Sequence, residues 1–236
     1  YFVNDETQMN YPYFIESWMN VDILALFEDT FKVPVWVEND ATAAAGGEGV
    51  AGAGRQYTDF AYVYIATLFG GGIVANREVL RGANGNAGEL GRLFPSISDR
   101  PVEAMFLNVA GIADWADWPG LTDARARDMQ PVLARAGAEI SRVLEQTLAV
   151  LDFEAVYLCS RMPRDLLGAL ADQIEVAPLG TEIVGNNADL RNPAPAIHPF
   201  HVPHYARLAC EMALDSFLCP AHSEERPRSQ HGNSVA

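Results

Sequence analysis

Cysteine is scarce in this chain of 236 residues. Cys159, Cys210 and Cys219 are too few and too scattered for a disulfide framework or a Cys-x-x-Cys zinc site, so a reducing compartment is the expected setting. Basic residues are scarce as well: 16 Lys+Arg stand against 31 Asp+Glu, a formal net charge of −15. A protein that grips a phosphate backbone needs a basic stripe, and this balance argues against direct nucleic-acid contact by the segment. Long apolar runs are missing too. The longest uncharged apolar stretch, residues 60–75, is too short to span a bilayer and is broken by three glycines. Asp5 and Glu6 stand where the basic region of a secretory leader would be, and the chain starts on Tyr1 rather than Met, which reads as a start inside a longer product. What is present is a globular composition, 49% apolar and 20% charged, with length for one large or two small domains. A soluble, acidic, cytoplasmic protein with no membrane partner is expected.

Periodicity supplies the elements. Val21, Leu24, Phe27 and Phe31 recur at three- and four-residue steps and predict an amphipathic helix, which Pro34 cannot continue. Residues 33–37, rich in valine, read as a buried strand, followed by Asn39, Asp40 and an alanine-rich helix start. Residues 59–66 read as a strand with Phe60, Tyr62 and Tyr64 on one face and Ala61, Val63 and Ile65 on the other. Gly70-Gly71-Gly72 then predicts a wide glycine-rich hairpin loop before a returning strand at 73–80, with a turn near Asn76 and Arg77. Residues 81–91 read as a shaped loop. A long helix is expected over 131–152, a strand over 153–159, a helix over 164–174 opened by Pro163, and a last helix over 205–218. Residues 186–203 read as a surface connection, and 223–236 as a disordered polar tail. Strands alternating with helices define an α/β domain on a mixed sheet.

Four places could carry chemistry. Asn39 and Asp40 lie between a strand and a helix, where ligands of open α/β sheets collect, and a carboxylate there can accept a proton while the amide orients a hydroxyl. The same residues also suit a plain helix start, with Asp40 as cap and Asn39 satisfying the turn. Gly70, Gly71 and Gly72 let main-chain N–H groups converge on an anion, but they equally suit a hairpin with unusual φ, and no Lys-Ser/Thr follows to make a P-loop. Glu89, among Gly85, Gly88 and Gly91, is either a carboxylate presented to vicinal hydroxyls or an exposed loop acid. His198, His201 and His204 share a three-residue spacing, yet Pro199 and Pro203 break any helix that would align them, so loop histidines are expected and no metal. Cys159 and Cys210 read as small buried hydrophobes.

The order of these segments resembles the ROK family of repressors, open reading frames and sugar kinases. Residues 33–45, VPVWVENDATAAA, with Glu48, resemble its signature strand and helix; residues 62–74 with Arg81-Gly82 and GNAGELG at 85–91 resemble its next signature; and DFEAVYLCSRMPRDLL at 152–167 resembles a later strand-helix unit. The resemblance extends over residues 18–220 and implies an actin-like ATPase fold, here mostly its C-terminal lobe, with sugar in a cleft. It implies that Asp40 is the catalytic base in a kinase, that Asn39, Asp40 and Glu89 bind sugar hydroxyls, and that the segment with Thr67, Gly70, Gly71 and Gly72 approaches nucleotide phosphates. It divides the chain into a remnant of the N-terminal lobe (1–32), the C-terminal lobe (33–202), a helix packing toward the N-terminal lobe (203–220) and a disordered tail (221–236).

The departures from the family pattern are informative. Ala66 and Leu68 replace two glycines of the phosphate segment, and side chains there intrude where a phosphate would approach. Arg92 replaces the histidine that binds sugar and zinc, the cysteine cluster is absent, and neither the N-terminal Asp-x-Gly loop nor a winged helix is in the chain. The expectation is therefore a sugar-sensing or formerly sugar-binding domain of a ROK transcriptional regulator, without zinc or another cofactor. Its partner is a monosaccharide or amino sugar, with DNA reached only through a separate winged-helix domain and a homo-oligomer left open. The alternative is an ATP- and magnesium-dependent hexose or N-acetylhexosamine kinase, or, third, a decayed fragment.

Overall fold

The structure is a computed structural model that describes residues 2–4, 8–9, 21–176 and 196–201. Strands β1 (Phe2–Asn4) and β2 (Gln8–Met9) pair antiparallel in a small sheet of their own. Helix α1 (Ile23–Phe31) begins where Asp22 accepts the Ala25 N–H at 2.9 Å and ends at Lys32, which turns into the left-handed region at φ 56°. The predicted helix is thus present, but none of its residues is buried, and Leu26 is 51% exposed.

The strand expected over 33–37 is not formed. These residues pair with no strand among those described, and Val33 and Trp36 are exposed. β-branched residues suit a pleated, half-buried surface but do not supply the neighbouring strand, and Pro34 has no N–H to give a ladder.

The rest is layered. Helix α2 (Asp40–Val50) is followed by strands β3 (Phe60–Ile65), β4 (Phe69–Ala75) and β5 (Glu78–Val79), helices α3 (Glu103–Ala110) and α4 (Asp123–Leu151), strand β6 (Ala155–Ser160), helix α5 (Arg164–Ala171) and strand β7 (Ala196–His201). The main sheet runs β5-β4-β3-β6-β7, antiparallel at β5–β4 and β4–β3 and parallel at β3–β6 and β6–β7. The two-residue alternation in β3 sends Ala61, Val63 and Ile65 into the larger core with Val156, Leu158, Phe106, Ile140 and Leu144. It sends Phe60 and Tyr62 to the opposite face, with Tyr157, Cys159 and the α2 residues Ala44 and Ala45.

Three other expectations are corrected. The glycine triplet is not a wide loop: Gly70, Gly71 and Gly72 are inside β4, opposite Tyr64, Val63 and Tyr62, and the chain turns at 66–68 instead. Helix α4 begins eight residues before Pro131 and runs through it, because Thr122 caps its start and the buried stripe Met129, Leu133, Ala136, Ile140 crosses the proline without a break. Residues 196–201 are not a surface connection but β7, in parallel register with β6 and with Pro199 opposite Leu158. An edge strand tolerates a proline that an inner strand would not. His198 and His201 therefore stand in a strand, while His204, Cys210, Cys219, the helix at 205–218 and the tail lie outside the described residues. No described helix is long and apolar enough to cross a membrane.

Candidate functional site

The site is assembled around the N-terminus of α2. Its cap is Asn39, not Asp40: Asn39 Oδ1 accepts the N–H groups of Ala41 at 3.0 Å and Thr42 at 3.1 Å. A carboxamide one residue before the helix reaches those donors, whereas Asp40, already helical, accepts only the Ala41 N–H, at 2.8 Å. Asn39 is half-buried with its oxygen committed, so what it offers a ligand is its NH2. The Asp40 carboxylate is exposed.

The composition of α2 and β4 explains why they lie so close. A Cβ on Gly72 would stand 2.7 Å from Ala45 Cβ and 2.8 Å from the Ala41 carbonyl oxygen, and one on Gly71 would stand 2.7 Å from Leu90 Cδ1. The triplet is glycine because helix α2 packs on one face of the strand and Leu90 on the other.

The same strand gathers the second loop. Residues 81–91 turn at Gly82, Gly85 and Gly88, with φ of 72°, 70° and 86°, values that side chains resist. A Cβ on Gly88 would approach Gly72 Cα to 3.0 Å. Gly72 thus touches the first turn of α2 on one side and Gly88 on the other, which brings the neighbours of Asp40 and of half-buried Glu89 to one stretch of β4. A clamp ties the two loops further: Arg81 Nε donates to Glu38 Oε2 at 2.8 Å, and Glu38 Oε1 accepts the Asn39 N–H at 3.0 Å.

At the carboxyl ends of β3 and β6, the structure adds residues that sequence reasoning missed. Tyr64 is half-buried at the end of β3; burial first, then the Asp40 carboxylate, pushes its hydroxyl pKa up. Arg161 follows β6 directly, with Nε 3.0 Å from Glu103 Oε1 and Nη2 2.5 Å from Oε2. That acid holds the guanidinium in its charged form. Glu103 opens α3 and is only 5% exposed. The signal for Arg161 and Glu103 was faint: a lone arginine after an apolar strand, and a lone acid 58 residues earlier. Thr67 is exposed on the hairpin turn, flanked by buried Ala66 and by Leu68, whose side chain stands in solvent. Among the described residues, no group of three or more His, Cys, Asp or Glu is placed to hold a metal. Arg92 is exposed.

The mixed sheet with helices on both faces has the actin-like ATPase fold of solved ROK sugar kinases. A ROK glucokinase from Streptomyces griseus, solved with glucose and AMPPNP, superposes with a TM-score of 0.61 at 17% identity over 91% of this chain and 78% of that one. The ROK family model matches residues 2–102, and over that stretch the chain is similar to ROK proteins. A xylose repressor from Bacillus spizizenii is 36% identical over 77 residues, 33% of this chain and 20% of the repressor. A glucokinase from Halalkalibacterium halodurans is 38% identical over 92 residues, 39% of this chain and 28% of the glucokinase. The matched stretches thus span between a fifth and under a third of these curated relatives.

Proposed function

We infer that this chain is the sugar-responsive domain of a cytoplasmic ROK transcriptional regulator, with a monosaccharide or amino sugar taken between Asn39, Asp40 and Glu89. The observation that carries this reading is the hairpin turn at 66–68. The glycines beside it are filled by α2 and Leu90, and the turn itself bears Ala66 and Leu68, so no bare backbone cradle is left for a phosphate. Phosphoryl transfer depends on positioning and charge stabilisation of that group, and this chain is poorly equipped for it. Sugar binding would shift the balance of cleft conformations, and a winged-helix domain attached to the chain would feel that shift as a change in operator affinity.

The second reading, an ATP- and magnesium-dependent hexose or N-acetylhexosamine kinase, draws support from Asp40, an exposed carboxylate at a helix start where a base can meet a sugar hydroxyl. Two measurements on the full-length protein separate them. The regulator reading expects sugar-dependent operator binding and no ADP release above that of Asp40→Asn. Sustained ADP release with glucose, abolished by Asp40→Asn, would replace it with the kinase.

A further inference from the structure

Arg161 stands where the parallel strands end. The register pairs Ile65 with Ser160, so the next residues, Ala66 and Arg161, form the rim at the carboxyl ends of β3 and β6, the side on which open α/β sheets collect ligands. The backbone of this rim is already satisfied. Ser160 Oγ donates to the Ile65 carbonyl at 2.7 Å and accepts the Met162 N–H at 3.1 Å, while the Glu103 N–H donates to the Ala66 carbonyl at 3.0 Å. What the rim has left to offer is a side chain. The Arg161 side chain is 55% exposed and that of its partner Glu103 only 7%, so the acid is sunk and the guanidinium stands in the opening. Glu103 engages Nε and Nη2; a guanidinium carries five N–H donors in a rigid fork, and the outward edge remains for something else.

We propose that Arg161 is a specificity-determining residue of the crevice, a donor locked in place by Glu103 that meets a ring hydroxyl of a neutral carbohydrate. The proposal rests on the carbohydrate reading above and adds to it a residue and a ligand class. Charge decides the class. Glu103 offsets the charge of Arg161, and Asp40 and Asp114 act on the same small region, Asp40 on Tyr64 and Asp114 on Arg161 itself. A phosphate or carboxylate on the ligand reaches the same free edge only against the repulsion of these acids. A hydroxyl accepts from the free edge without contest.

The test is calorimetric titration of the full-length protein, as parent, Arg161→Ala, Arg161→Lys and Asp40→Asn, with D-glucose, D-xylose, the monodeoxyglucoses and glucose 6-phosphate. Arg161→Ala is expected to weaken the better sugar about tenfold, a loss expected when one charged hydrogen bond goes. One deoxy analogue should bind parent and Arg161→Ala alike, because it lacks the hydroxyl that Arg161 meets, while the others keep the tenfold gap. Glucose 6-phosphate should bind the parent more weakly than glucose. If Arg161→Ala does not fold, Arg161→Lys, which keeps the charge but loses the fork, should show a smaller loss with the same analogue pattern. Parent-like affinity in the Arg161 variants, an equal gap for every analogue, or tighter binding of the phosphate overturns the proposal. Binding that Asp40→Asn destroys and the Arg161 variants leave intact overturns it alone, whereas no binding by the parent overturns the carbohydrate reading and this proposal together.

Discussion

Substituting Gly72 by alanine adds one methyl group, and the structure says where it goes. It would lie 2.7 Å from Ala45 Cβ, 2.8 Å from the Ala41 carbonyl oxygen and 3.1 Å from Thr42 Cα. Two of these three atoms are backbone, so no flexible side chain can swing away, and α2 has to lift from β4. Overpacking of this kind costs about 1–3 kcal/mol. For a protein of this size each kcal/mol lowers Tm by roughly 2–4 °C, which puts the expected drop between about 2 and 12 °C. The same lift moves Asn39 and Asp40, and displacements near 1 Å at a positioned group can cost on the order of a hundredfold. Sugar affinity should therefore fall together with Tm. Gly168→Ala is the control, because a Cβ there meets nothing within 4 Å inside α5. It should stabilise by about 0.5–1 kcal/mol through helix propensity alone. The readout is calorimetric melting beside sugar titration. If Gly72→Ala melts as high as the parent, α2 does not lie on this strand as described, and the assembly of the site is wrong.

Asn39→Ala removes the acceptor for two N–H groups and should cost about 1 kcal/mol in denaturant unfolding, while Asn39→Asp, which keeps an acceptor, should cost much less. Arg81→Ala breaks a partly exposed ion pair and should lower stability by under about 1 kcal/mol. It should still weaken sugar binding, because that pair ties the Glu89 loop to Asn39; unchanged affinity would show that the clamp is idle. Burial pushes the Cys159 thiol from 9.0 up to about 12. The folded state then holds a proton that the unfolded state has lost, so this contribution is complete below pH 9 and is lost as pH rises toward 12. Near pH 10.5 it amounts to about 2 kcal/mol, and the raised Tyr64 and Tyr157 act in the same direction at higher pH. Melting across pH 8–11 should show a steep alkaline decline that is shallower in Cys159→Ala.

Much of the fold was legible from side-chain periodicity, which depends on nothing outside a segment. The two faces of β3 follow from alternation, the turn at Asn76 and Arg77 from a polar break between apolar residues, and the shaped loop before Gly91 from glycines that need positive φ. The errors at 33–37, at the glycine triplet and at β7 share one physical cause: each needed a partner that local sequence does not name. The valines at 33–37 lack a neighbouring strand among the described residues, and Pro199 is acceptable only because β7 lies at a sheet edge. The glycine triplet looked like a loop, since glycine is both a turn residue and the residue that admits a close neighbour; only the position of α2 decides between them. For the site, Asn39, Asp40 and Glu89 stood out by residue type and by resemblance to the ROK family. Glu103 and Arg161 did not, because their pairing joins an α-helix start to a strand end across the sheet.

The central claim is that Asp40 and Glu89 flank a crevice that holds a carbohydrate. Isothermal titration of the full-length protein with glucose, xylose and N-acetylhexosamines, repeated with Asp40→Asn and Glu89→Gln, tests it most directly. The account predicts saturable binding of at least one sugar, weakened tenfold or more by each substitution while the melting temperature stays close to that of the parent. Binding that neither substitution disturbs, or no binding of any sugar by the parent, would contradict it.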